Sequence, residues 1–102
     1  MSAIRQQLPN RRLAETFEIT VDGLCYVATV GRFADGQIAE IFLNNCRANS
    51  AADTNARDSA IVCSIALQFG ADIETIRKAL CRDSHGRASG PLGTALDAIV
   101  EV

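Results

Sequence analysis

The chain has 102 residues, 48% of them apolar and 22% charged, with a net charge of −2. That size suits one domain with its own core, and the composition excludes the disordered and low-complexity classes. Ten basic against twelve acidic side chains leave no field to hold a polyanion, so nucleic acid is not an expected partner. No run approaches the ~20 apolar residues that a membrane-spanning helix needs. Met1 to Gln7 lacks the apolar core of a secretory signal, so the expected compartment is the cytoplasm, with no membrane partner.

Residues 1–14 carry Pro9 and the pair Arg11-Arg12 with no sustained period, and read as an N-terminal arm. Residues 15–102 read as a single domain. From Thr16 the pattern alternates, Phe17, Ile19 and Val21 against Thr16, Glu18 and Thr20, as a half-buried strand requires. Asp22-Gly23 is a hairpin turn signal. Leu24 to Val30 is apolar on both faces and is expected to be the central strand. Ala34-Asp35-Gly36 turns the chain into a third strand, Ile38 to Leu43, with Glu40 in its middle.

The period then changes to that of helices. Ser50 and Asp53 form a capping-box-like pair opening a long helix. Its second half, Ala60 to Phe69, is apolar nearly all round and is expected to be buried on most sides. Gly70 ends it, and Asp72 caps a shorter helix with Ile73, Ile76, Ala79 and Leu80 on one face. A polar loop from Arg82 to Gly90 leads to Pro91, well suited to the first position of a third helix carrying Leu92, Ala95, Leu96 and Ile99. The expected fold class is α+β, a three-stranded antiparallel meander followed by three helices packed on one face of the sheet. Because the long helix and the central strand are apolar on more than one side, a homodimer is expected to cover the surplus surface.

Few residues suggest chemistry. The four cysteines, Cys25, Cys46, Cys63 and Cys81, contain no close pair of the kind that orients two thiolates on zinc, so no metal site is expected. Cys25 and Cys63 fit as small apolar residues, whereas Cys46 and Cys81 stand at element ends. His85 is the only histidine, in Asp83-Ser84-His85-Gly86-Arg87, and consecutive residues rarely form a triad, so no catalytic residue is assigned. The stretch Gly86 to Gly93 places glycines and a serine at a helix start beside Arg82 and Arg87. Arg82, His85, Arg87, Ser89 and Gly90 are therefore a candidate site for a nucleotide or another phosphate. Arg5, Arg11 and Arg12 make a basic cluster in the arm suited to a protein partner or to carboxylates of this chain, Glu40 among them.

Taken together, several segments carry a resemblance. They are Leu8-Pro9-Asn10-Arg11-Arg12, Tyr26 to Val30, Asp35-Gly36 followed by Ala39 to Asn44, Arg47 to Ser50, Ser64 to Gln68 leading to Gly70, and Ser89 to Leu92 through Ala95-Leu96-Asp97. In order and spacing they resemble the TSCPD domain, the small unit at the C-terminal end of adenosylcobalamin-dependent ribonucleotide reductases that also occurs free-standing in bacteria. At the motif that names that family the chain has Ala88-Ser89-Gly90-Pro91-Leu92, keeping serine and proline but not cysteine and aspartate. The resemblance implies an accessory or interaction domain without a catalytic role or cofactor of its own, acting as a homodimer or beside a reductase or other protein partner. The alternative drawn from the residues is a small-ligand binding protein using the 82–93 loop and helix N-terminus.

Overall fold

Three strands and three helices follow one another: β1 (Ala14–Val21), β2 (Leu24–Arg32), β3 (Ile38–Asn45), α1 (Ala51–Gln68), α2 (Ile73–Ala79) and α3 (Pro91–Val100). The computed structural model describes residues 4–100, so the first three residues of the expected arm, with Glu101 and Val102, lie outside the described residues. The strands form one antiparallel sheet in the order β1-β2-β3, which makes β2 central as its two apolar faces imply. Asp22 and Gly23 both adopt positive φ, 52° and 76°, the twist that a two-residue hairpin needs.

One face of the sheet carries the core. Ile19, Tyr26, Ala28, Val30, Ile41 and Leu43 point towards the helices, with α1 packed on β3 and α3 against β1. Ala56 and Ala60 of α1 and Ala95 of α3 are almost fully buried, and their small side chains bring both helices close to the sheet. Helix α1 starts as its sequence suggests: the Ser50 hydroxyl accepts a hydrogen bond from the Asp53 N–H. It ends at Phe69 with Gly70 at φ 92°, where the N–H groups of Gly70 and Ala71 reach back to the carbonyls of Leu67 and Ala66.

The outer side of α1 departs from expectation. Ile61, Val62 and Ile65 are 53%, 67% and 39% exposed. The helix lies along the free edge of a three-stranded sheet, and its apolar girdle is wider than that sheet covers. Periodicity reports that a surface is apolar, not whether this chain supplies the surface that covers it.

The inner side of α1 seals the β3 edge. The Ser64 hydroxyl accepts from the Ile41 N–H at 2.9 Å and donates to the Ile41 carbonyl at 3.0 Å. Gln68 Nε2 donates to the Ala39 carbonyl at 3.1 Å, and Asp53 Oδ1 accepts from the Asn45 N–H at 2.9 Å. An unpaired strand edge invites pairing with another chain, and here three helical side chains take the place of a fourth strand.

Arg5 and Gln6 lie against the same edge. Arg5 Nε donates to Gln68 Oε1 at 2.6 Å, and the Gln6 N–H donates to the Gln68 carbonyl at 2.7 Å. Arg12 pairs with Glu40 at 3.0 Å on the face of the sheet opposite the helices. Glu40 faces Gly31 across β2 and β3, where a Cβ on residue 31 would stand 2.8 Å from the Glu40 Cγ. The ladder slips by one residue at Gly31/Arg32, a β-bulge beside this close approach.

Candidate functional site

The segment from Cys81 to Ser89 forms an ordered miniature hairpin. Arg82 and Ala88 form an antiparallel bridge, the Asp83 N–H donates to the Arg87 carbonyl, and the Ser89 N–H donates to the Cys81 carbonyl. Gly86 closes the turn at φ 79°. Asp83 organises the tip: its carboxylate accepts from the N–H groups of Arg87 and His85, which hold its pKa below the ordinary aspartate value. The run Asp83-Ser84-His85 is therefore the wall of a turn, with the aspartate turned onto backbone.

Beneath the hairpin sits a cluster of charges. Arg82 clamps Asp97 of α3 through Nη1 and Nη2, at 2.8 and 2.9 Å, and Arg77 of α2 donates from Nε to the same carboxylate at 2.9 Å. Arg77 also pairs with Glu74. Hydrogen bonding from Arg82 first, with help from Arg77, keeps the Asp97 pKa low against the opposing effect of burial. Glu74 first, and then Asp97, push the Arg77 pKa above the usual arginine value. This cluster ties α2, the hairpin and α3 together.

Two cavities flank the segment. One of about 400 Å3 lies between α1 and the start of α3, lined by Tyr26, Asn55, Ser59, Cys81, Gly90 and Leu92 among others. The first hydrogen bond of α3 runs from the Thr94 N–H to the Gly90 carbonyl. Gly93 sits where a Cβ would stand 2.9 Å from the Ala88 Cβ, so the hairpin packs directly on the first turn of α3. The second cavity, about 640 Å3, opens beside the charge cluster and is lined by Arg77, Arg82, Arg87, Thr94 and Asp97.

The residues singled out in the sequence thus part company. Gly90 lines the first cavity, Arg82 and Arg87 the second, and His85 and Ser89 are exposed on the hairpin. In the arm, Arg12 is held by Glu40 and Arg5 by Gln68, while Arg11 is exposed. Sequence reasoning did not single out Tyr26, Asn55 or Ser59, which reach the first cavity from a strand and a helix distant in sequence. The i, i+4 spacing of Asn55 and Ser59 on one helix face was the available signal.

An apolar groove of about 430 Å3 adjoins this cavity, sharing Ser59, Leu80 and Leu92 with it and adding Val62, Cys63, Ala66 and Ile76. Burial pushes the Cys63 thiol up to about 11, which keeps it protonated and unreactive at neutral pH. Among the described residues, no group of three or more His, Cys, Asp or Glu side chains is arranged to hold a metal ion. Among them, too, no helix is long and apolar enough to cross a membrane.

A vitamin B12-dependent ribonucleotide reductase from Agrobacterium fabrum is 36% identical to this chain over 74 residues. The chain is similar to a small part of a ribonucleotide reductase. The matched residues make up 72% of this chain but 6% of that protein. No protein-family model matches the chain, and no solved structure matches it significantly.

Proposed function

We propose that this protein is a non-catalytic accessory or interaction domain of the TSCPD type, related to the C-terminal unit of adenosylcobalamin-dependent ribonucleotide reductases. The observation that carries the reading is the 36% identity over 72% of this chain to a protein of which the match is only 6%. A segment that small corresponds to one module of a long enzyme. On this reading residues 15–102 are the module and residues 1–14 an arm, of which Arg5, Gln6 and Arg12 contact the module.

Its working surface is the apolar outer side of α1, where Ile61, Val62 and Ile65 stand exposed, continued by Phe42 of β3 and by the groove between α1 and α2. Contiguous exposed apolar side chains on a small domain mark an interaction site. The occupant is a second copy of the chain or a ribonucleotide reductase. Light scattering of the purified chain, alone and mixed with an adenosylcobalamin-dependent ribonucleotide reductase, tests this at about 10 µM, where a complex of comparable Kd is half formed. A dimer or a complex with the reductase is expected, and Val62→Glu should abolish it. A monomer that leaves the reductase's mass unchanged up to about 100 µM would overturn the reading.

A further inference from the structure

We propose that Cys25 and Cys46 form a dithiol that closes reversibly to a cross-strand disulfide, a redox modification site on the helix-free face of the sheet. Tyr26 of β2 stands opposite Asn45 of β3, so the next pair outward is Cys25 opposite Cys46. The Cys46 N–H donates to the Cys25 carbonyl at 3.1 Å, which fixes the pairing where β3 ends. Asn45 Nδ2 donates to the same carbonyl at 3.1 Å and holds the corner.

Opposed residues in an antiparallel pair project to the same face. Tyr26 and Asn45 are buried towards the helices, so both cysteines lie on the other face, Cys25 half-buried and Cys46 exposed. At a hydrogen-bonded cross-strand position the Cα atoms are about 5.5 Å apart, which falls within the range that disulfides span. Cys46 stands close enough to act on the Cys25 thiol. The Cys46 thiol, followed by burial and the Glu18 charge, pushes the Cys25 thiol up to about 11.

The bulge at Gly31/Arg32 creates this meeting. Beyond it Arg32 pairs with Ile38, and that register, continued along the ladder, would set Cys25 against Asn45 and Cys46 against Leu24. The one-residue slip brings the two cysteines opposite each other.

The oxidant is a low-molecular-weight disulfide of the glutathione class. The exposed Cys46 thiolate attacks one of its sulfurs, forming a mixed disulfide and expelling one small thiolate. Cys25 then gives up its proton and attacks the Cys46 sulfur, and the second small thiolate leaves. Two protein thiols are oxidised, one small disulfide is reduced to two thiols, and the protein's protons pass to the departing sulfurs. An excess of small thiol reverses both steps. The closed bond staples the end of β3, and with it the turn that caps α1, to β2.

The test is made on the full chain, folded, in glutathione redox buffers, with free thiols then alkylated and the protein cut at arginine and lysine. Cys25 falls in residues 13–32 and Cys46 in residues 33–47, so the bond joins two separate peptides. The expected result is that this linked pair dominates in oxidising buffer and falls at least about tenfold in reducing buffer. The melting midpoint of the oxidised chain should rise by roughly 10 °C. Cys46→Ser, at an exposed position, should abolish both the linked pair and the shift, whereas Cys81→Ser should leave both intact. Separate alkylation of Cys25 and Cys46 in oxidising buffer, or disulfides found only between chains or through Cys63, would overturn the proposal.

Discussion

Two polar clusters hold helices to the rest of this domain, and they differ in what water can do for them. At the β3 edge, Asp53, Ser64 and Gln68 are buried and satisfy backbone groups of the strand, leaving no room for solvent to substitute. Under the hairpin, Arg77, Arg82 and Asp97 pair charge with charge while remaining partly exposed. Removing a partner from the first cluster strands a buried backbone donor or acceptor, at the full desolvation penalty. Removing one from the second leaves a charge that water can reach. The buried cluster at the strand edge should therefore matter more to stability than the partly exposed ion pairs under the hairpin.

The sharpest way to break that ranking is Ser64→Ala. One hydroxyl serves both the N–H and the carbonyl of Ile41, so its loss leaves two buried groups unmet. The expected cost is ~3 kcal/mol, seen as a lower denaturation midpoint at an unchanged m-value. Hydrogen exchange at the Ile41 amide should speed up in parallel. A loss below ~1 kcal/mol would mean that the strand edge is satisfied in some other way.

Asp97→Asn should cost less than half as much, but with a pH signature that Ser64→Ala lacks. The Asp97 pKa is depressed in the folded chain, chiefly by Arg82. Its contribution is thus fully present above the ordinary aspartate value of 3.8 and is lost as the pH falls through the depressed one. Asp83, lowered by the N–H groups of Arg87 and His85, titrates with the same sign. Denaturant midpoints measured from neutral pH downwards should fall for the wild type over that acid window. The fall should be shallower for Asp97→Asn, which starts lower because the carboxylate is already gone. Parallel curves would show that the Arg82 clamp contributes nothing to folding.

The strands, the helices and the caps of α1 were legible because each rests on local chemistry, whereas Asp72 opens α2 without a side-chain capping hydrogen bond. Asp22-Gly23 supplies the positive φ of the hairpin, Ser50 the N-cap, and Gly70 the left-handed exit of α1. Glu40 was legible as a group needing an arginine, and Arg12 meets it. The cavity beside α3 was only half visible: Gly90 stood in a recognisable helix start, but Tyr26, Asn55 and Ser59 arrive there through the packing of α1 on the sheet. The Cys25–Cys46 pairing was out of reach because it depends on the one-residue slip at Gly31/Arg32, and a bulge has no signature that spacing alone reveals. The exposed side of α1 misled for the same reason that it is informative. An all-round apolar helix predicts a covering surface, and this chain supplies only part of one.

The smallest effect should come from the pair that looks best by distance alone. Arg32 Nη2 lies 2.8 Å from Glu15 Oε1 across β1 and β2, as close as any contact of Arg82 with Asp97. The Glu15 side chain is 60% exposed, so solvent screens the attraction and replaces the lost partner. Arg32 also donates to the Gly36 carbonyl at 2.8 Å, which keeps the guanidinium in place over the turn when the carboxylate is removed. Glu15→Ala should therefore shift stability by no more than ~0.5 kcal/mol, and by less still at high salt. Equal losses in Glu15→Ala and Asp97→Asn would mean that proximity, rather than exclusion of water, sets the strength of ion pairs in this fold. A near-zero value beside a measurable one for Asp97→Asn would place the difference in the hairpin and helices that cover the second pair.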